Sequence, residues 1–215
     1  MLPKTAMARI SASVSLVLLV ALLGFVAWSE WFAGSDAESG IGGPYELVNT
    51  QGETVTPASF DGQYRLIYFG YTHCPSVCPQ TANAMSRALD HLAEKAPQRA
   101  KAITPVFITI DPDRDDGERL AAWLDNFHQR FVGLTGSDGQ IRRAAEQFRV
   151  TYEKRGPEGF EEGSTMAEQA KAKGYLMQHS SYVFLMGPDG QYVDHVSTNA
   201  GATQITRMLT KHVAG

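Results

Sequence analysis

Cys74 and Cys78 are the only cysteines of the chain, separated by Pro75, Ser76 and Val77. Two thiols this close form a redox pair or half of a metal site. They follow a dense apolar run, Arg65–Tyr71 (RLIYFGY), and open a segment with helical spacing. A helix start carries unpaired N–H groups and partial positive charge. That field lowers a thiol pKa and favours thiolate, the form that binds metal or attacks a disulfide. Thiol–disulfide enzymes usually place two residues between their cysteines. Three still permit a Cys74–Cys78 disulfide and also let both sulfurs aim at one ion, so the spacing supports redox and metal roles alike.

His179 is the third candidate. Among the other histidines, His91, His128 and His212 fall on expected helices and read as solvated, His195 falls in a hairpin, and His73 adjoins Cys74 without having to point the same way. His179 ends a long polar stretch and directly precedes the expected strand Ser181–Met186. Two thiolates and an imidazole are a soft donor set, suited to three-coordinate Cu(I) or to Cu(II) with an added oxygen ligand. Structural zinc wants a fourth protein ligand, for which Asp111 or Asp113 would have to reach in. In Asp111-Pro112-Asp113-Arg114-Asp115, Asp113 and Asp115 read as a solvated turn before the next helix. Met166 and Met177 are soft groups that read as loop packing.

These residues need a scaffold. Tyr45–Asn49 and Thr54–Thr56 predict a short hairpin. Arg65–Tyr71 and Ile103–Ile110 are apolar throughout, as strands buried on both faces are. Pro79 suits the first position of a helix, and Met85, Ala88, Leu89 and Leu92 give it one buried stripe before Pro97 stops it. Helical stripes recur at Leu120, Trp123, Leu124 and Phe127 and at Ile141, Ala144, Ala145 and Phe148. Phe131–Leu134 and Val150–Glu153 read as short strands. Ser181–Met186 and Gln191–Val196 flank Gly187-Pro188-Asp189-Gly190, a hairpin turn. Ile205, Met208, Leu209 and Val213 mark a last helix. Strands alternating with helices predict an α/β domain with a mostly parallel sheet and a terminal hairpin. The stretch 155–178 is long for a loop in a compact domain, and Met166–Lys173 within it suits a short helix.

The 215 residues carry a net charge of −4 without a basic run, which excludes nucleic acid as a main partner. Ile10–Trp28 is apolar and uncharged, with Lys4 and Arg9 before it and Glu30 after it. Its length and flanks predict a transmembrane signal-anchor over 10–32 with residues 1–9 in the cytoplasm, rather than a cleaved signal peptide. A small, polar tether follows over 33–41, then the main domain over 42–215. Export of that domain permits disulfides.

Four stretches resemble the Sco/SenC family of copper proteins: Tyr68–Pro79 (YFGYTHCPSVCP), Ile108–Asp115 (ITIDPDRD), Phe131–Gly136 (FVGLTG) and His179–Gly190 (HSSYVFLMGPDG). The resemblance implies a thioredoxin-like fold with an added β-hairpin, and copper binding by Cys74, Cys78 and His179. It implies a metallochaperone on the outer side of a bacterial inner membrane that assists assembly of the copper centre of cytochrome c oxidase, whose copper-centre subunit, or another copper acceptor, is the partner. Many relatives carry an acidic residue before this histidine, where Gln178 stands here. The competing readings are a thiol–disulfide oxidoreductase acting through Cys74 and Cys78 and, third, a thiol peroxidase.

Overall fold

The computed structural model describes residues 40–180 and 182–214 together with Leu22. The expected anchor over 10–32 and nearly all of the tether lie outside the described residues, Leu22, Gly40 and Ile41 excepted. Among the described residues no helix is long and apolar enough to cross a membrane.

Among the described residues, nine strands and six α-helices follow one another: β1 (Leu47–Asn49), β2 (Thr54–Val55), β3 (Tyr64–Gly70), α1 (Val77–Lys95), α2 (Pro97–Lys101), β4 (Ile103–Thr109), α3 (Gly117–Leu124), β5 (Val132–Thr135), α4 (Asp138–Gln147), β6 (Tyr152–Arg155), α5 (Thr165–Lys173), β7 (Leu176–His179), β8 (Tyr182–Met186), β9 (Tyr192–Ser197) and α6 (Gly201–His212). Seven strands form one sheet in the order β2-β1-β5-β4-β3-β8-β9, and β6 pairs β7 in a separate two-stranded sheet. At the centre, β3 runs parallel to β4 and antiparallel to β8. With β9 beside β8 and α1 packed on α6, these strands make the thioredoxin-like core.

Alternation along the central strands sends side chains to two faces. Tyr68 and Phe107 are register partners, and Trp123 of α3 packs on Phe107 with ring centroids 4.8 Å apart. The next residue, Phe69, meets Phe148 at 5.3 Å at the end of α4. Both faces are therefore covered, which is why β3 and β4 read as unbroken apolar runs. Each fully buried ring contributes roughly 1.5–3 kcal/mol over an exposed one. Pro105 lies inside β4, where a proline normally breaks a central strand. It is accommodated because β5 pairs only from Val106 onward. Gly133 lets β5 lie close to α3, since a Cβ there would meet Leu124 at 2.6 Å.

Several elements differ from expectation. Helix α1 begins at Val77, so Pro79 occupies its third position. Phe127 and His128 lie beyond the end of α3 at Leu124. His128 is mostly buried rather than solvated, its Nε2 3.8 Å from Asp90. His212 closes α6 with Nε2 bonded to Asp194 at 2.9 Å. His91 is exposed, as expected. The expected helix over 166–173 is present as α5, capped by the Ser164 side chain on the Ala167 N–H.

Candidate metal centre

The cysteine loop leaves the carboxyl end of β3, where sites gather in sheets of this kind. Ser76 precedes α1, but its side chain makes no capping bond. The Cys74 sulfur takes that place: the Cys78 N–H donates to Cys74 Sγ at 3.3 Å. Cys74 is partly exposed and Cys78 buried, and both are free thiols. The Cys78 thiol hydrogen bond, backed by the N–H groups of Ser76, Cys78 and Val77, holds the Cys74 pKa down to about 6 against the opposing effect of burial. Burial, and then the bond to and charge of Cys74, push the Cys78 thiol up, although Tyr68 Oη donates to Cys78 Sγ at 3.3 Å and works the other way. The pair is thus polarised into an outer thiolate and an inner thiol.

That asymmetry has a direct chemical readout. Brief iodoacetamide pulses followed by peptide mass analysis should modify Cys74 with a rate that rises with pH through a midpoint near 6 and then levels off, because thiolate is the nucleophile. Cys78 should stay unmodified until the protein unfolds. A Cys74 midpoint above 8 would contradict the assignment.

His179 arrives on the last position of β7, opposite Tyr152 of β6. Its Nδ1 lies 2.8 Å from the Ser180 carbonyl oxygen. Nδ1 therefore carries the proton in this pairing, and Nε2 carries the lone pair. Burial lowers the imidazole pKa, with the Ser180 bond partly opposing, so the ring is neutral at neutral pH and suited to metal. The rings of Tyr68 and Tyr71 flank it at 6.4 and 6.3 Å. A cavity of about 500 Å³ is lined by Cys74 and His179 together, with Tyr71, Val77, Met166 and Met177 among its other walls. Cys78 lies behind Cys74, and Tyr68 reaches both sides, bonding Cys78 and facing His179. Of the three sequence candidates, Cys74 and His179 thus line one cavity, and Cys78 lies outside its lining. Met166 is exposed at the cavity and Met177 buried beside it.

The aspartates fall elsewhere. Asp115, expected to be solvated, is fully buried. It accepts the Thr72 N–H at 2.9 Å, the Thr72 hydroxyl at 2.6 Å and the Thr109 hydroxyl at 2.7 Å. It thereby fixes the backbone two residues before Cys74. His73 turns toward it, with Nδ1 3.6 Å from Oδ1, and away from a role beside Cys74. His73, Asp111 and Asp115 cluster closely enough to suggest a cation site. Yet Asp111 accepts from Arg114 Nε and Tyr175 Oη at 2.6 Å each, so all four carboxylate oxygens already have donors. Asp113 is exposed and paired with Lys154 at 2.5 Å. Neither Asp111 nor Asp113 is placed to complete a four-ligand zinc site. Only the Asp-x-x-x-Asp spacing after a buried strand hinted at the role of Asp115, because Thr72 lies far away in sequence.

The donor set fits a soft, low-coordinate ion: a thiolate at a helix start, a second thiol behind it and a neutral imidazole. Comparison with known proteins bears on this point. The SCO1/SenC family profile matches residues 33–214. The mitochondrial protein SCO2 homolog of Homo sapiens is 34% identical over 172 residues, covering 80% of this chain and 59% of its own. The chain spans 49% of the mitochondrial SCO1 homolog 1 of Arabidopsis thaliana, to which it is 31% identical. It therefore spans 49% to 59% of the length of these relatives. The crystal structure of Arabidopsis thaliana ScoI with copper bound is 31% identical with a TM-score of 0.68, covering 80% of this chain and 96% of that one. Yeast Sco1 with copper bound is 30% identical with a TM-score of 0.67, covering 80% and 88%.

Proposed function

The chain belongs to the SCO1/SenC family, and from that premise we propose that it is a copper-binding metallochaperone assisting assembly of the copper centre of cytochrome c oxidase. Cys74, Cys78 and His179 are the ligands, and the oxidase copper-centre subunit or another copper acceptor receives the cargo. Residues 10–32 anchor the chain in a bacterial inner membrane by a single span and hold the domain 42–215 on its outer side, joined by the tether 33–41. The observation that carries the reading is the shared cavity: a thiolate-forming cysteine and a neutral imidazole, from opposite halves of the chain, line one space. Copper-bound relatives of the same fold support the choice of ion.

Cys74 meets the incoming ion first, being partly exposed where Cys78 is buried, and already ionised. Cys78 must release its proton to join, and His179 offers Nε2 without a proton to lose. Delivery then proceeds by ligand exchange, with acceptor thiolates replacing these donors one at a time. The test is anaerobic Cu(I) titration of the reduced chain, with X-ray absorption counting sulfur and nitrogen ligands. His179→Ala should weaken Cu(I) binding about 100-fold, roughly 2.7 kcal/mol, while leaving the fold intact. Unchanged affinity with an unchanged nitrogen count would remove His179 from the site.

The polarised cysteine pair favours a second reading, thiol–disulfide exchange. Thiolate Cys74 would attack a partner disulfide and expel one partner thiolate. Cys78, on losing its proton, would then attack the Cys74 sulfur of the mixed disulfide and expel the second partner thiolate, so the partner gains two electrons and this chain keeps a Cys74–Cys78 disulfide. Reductase activity that survives His179→Ala and disappears with either cysteine would favour it.

A further inference from the structure

The strand that delivers His179 belongs to the two-stranded sheet β6–β7, outside the seven-stranded sheet. Two paired strands are marginal in water on their own. Beyond His179 the chain enters β8 of the main sheet at Tyr182, which ties one end. The turn 111–115 ties the other through an interlocked group of side chains. Arg114 Nε donates to Asp111 Oδ2 at 2.6 Å. Its Nη1 donates to the carbonyls of Lys173 and Tyr175 at 3.0 and 3.2 Å, where α5 hands over to β7. The guanidinium lies over the Tyr175 ring, 3.6 Å from its centroid. Tyr175 Oη closes the loop by donating to Asp111 Oδ1 at 2.6 Å. Asp111 is fully buried and the Arg114 side chain is 16% exposed, so these bonds are largely shielded from water. The same turn holds the cysteine segment through Asp115 and Thr72. One five-residue turn thus grips both halves of the metal site.

We propose that Arg114 and Tyr175 are positioning residues for the metal centre: stacked on each other and both bonded to Asp111, they fix the β6–β7 hairpin so that His179 is held at the cavity of Cys74. The proposal rests on His179 being a ligand. Tyr175 lies four residues before His179, about 13 Å along an extended strand, and a short paired strand transmits its placement. A guanidinium suits the task because its planar fork can serve a carboxylate and two carbonyls while its face stacks on an aromatic ring. Loosening this arm keeps the Asp115–Thr72 hold on the cysteine segment and charges the ordering of the imidazole to the binding step.

The test is a double-mutant cycle on the full chain, with Cu(I) affinity measured by competition against a chromophoric chelator. Arg114→Lys keeps the charge and loses the fork and the stack. Tyr175→Phe keeps the stack and loses the bond to Asp111. Each should weaken Cu(I) binding about 10-fold, the scale at which supporting groups around metal ligands act. In a His179→Ala background each should change affinity less than about 2-fold, and the Cys74–Cys78 reduction potential should be unchanged throughout. X-ray absorption of the Arg114→Lys complex should show a weakened or missing imidazole contribution. Equal losses in both backgrounds would overturn the proposal, because the residues would then act through the cysteines or the fold as a whole. No loss in the wild-type background for either variant would also overturn it, provided His179→Ala itself weakens binding. If His179→Ala leaves affinity at the wild-type level, the ligand assignment falls first and takes the positioning role with it.

Discussion

Cys78→Ser should reduce Cu(I) affinity by three orders of magnitude or more, about 4 kcal/mol, and should change its pH dependence as well as its size. The inner sulfur is fully buried and its thiol is held protonated by burial and by the neighbouring Cys74 charge. Metal binding must therefore expel one proton at neutral pH. Cys74 has already ionised above about pH 6, and the imidazole is neutral. In the wild-type protein, affinity should accordingly rise about tenfold per pH unit from 7 upward until Cys78 ionises unaided. A serine hydroxyl neither ionises nor offers a soft donor, so the variant should bind weakly and with little slope over the same range. Chelator competition from pH 7 to 9 measures both quantities. A variant that retains the slope would place the released proton on another group.

Asp115→Ala should cost roughly 3–5 kcal/mol of stability, among the largest losses any single substitution outside the core would cause. The carboxylate is buried and meets three donors, the Thr72 N–H, the Thr72 hydroxyl and the Thr109 hydroxyl. Truncation strands those donors out of reach of water, at about 1–3 kcal/mol for each one left unsatisfied. In a domain of this size, that is a fall in melting temperature of about 10 °C. The control is its neighbour: Asp113→Ala removes only an exposed pair with Lys154 and should stay within about 0.5 kcal/mol. Urea unfolding of the reduced proteins compares them directly. Similar midpoints for the two variants would show that the buried network carries little of the stability.

The contrast between these two aspartates shows what the sequence could and could not disclose. Both sit in one turn-forming pentapeptide, and local signals read both as solvated. What separates them is Thr72, far away in the chain, so only tertiary structure distinguishes them. Strands β3 and β4 were legible because parallel pairing buries both faces and leaves an unbroken apolar run. Strand β7 was not. Its partner β6 is polar, only Leu176 and Met177 are buried, and a two-residue signal cannot be told from loop packing. The cysteine pair announced itself by spacing and by the helix start that follows. The long stretch before His179 announced that something was there, without showing that a paired strand holds the ring. His128 was misread because α3 ends at Leu124, before the apolar periodicity does.

The helix start beneath Cys74 has an electrochemical corollary. Two thiolates and a neutral imidazole give a complex of net charge −1 with monovalent copper and 0 with divalent copper. The N–H groups that open α1 present partial positive charge to the Cys74 sulfur and so favour the more negative of the two. At about 0.3–1 kcal/mol for a charge at a helix terminus, the midpoint of the one-electron couple moves upward by roughly 10–40 mV. A copper ion held by these residues would thus be biased toward the cuprous state by the scaffold alone, before any second protein is present.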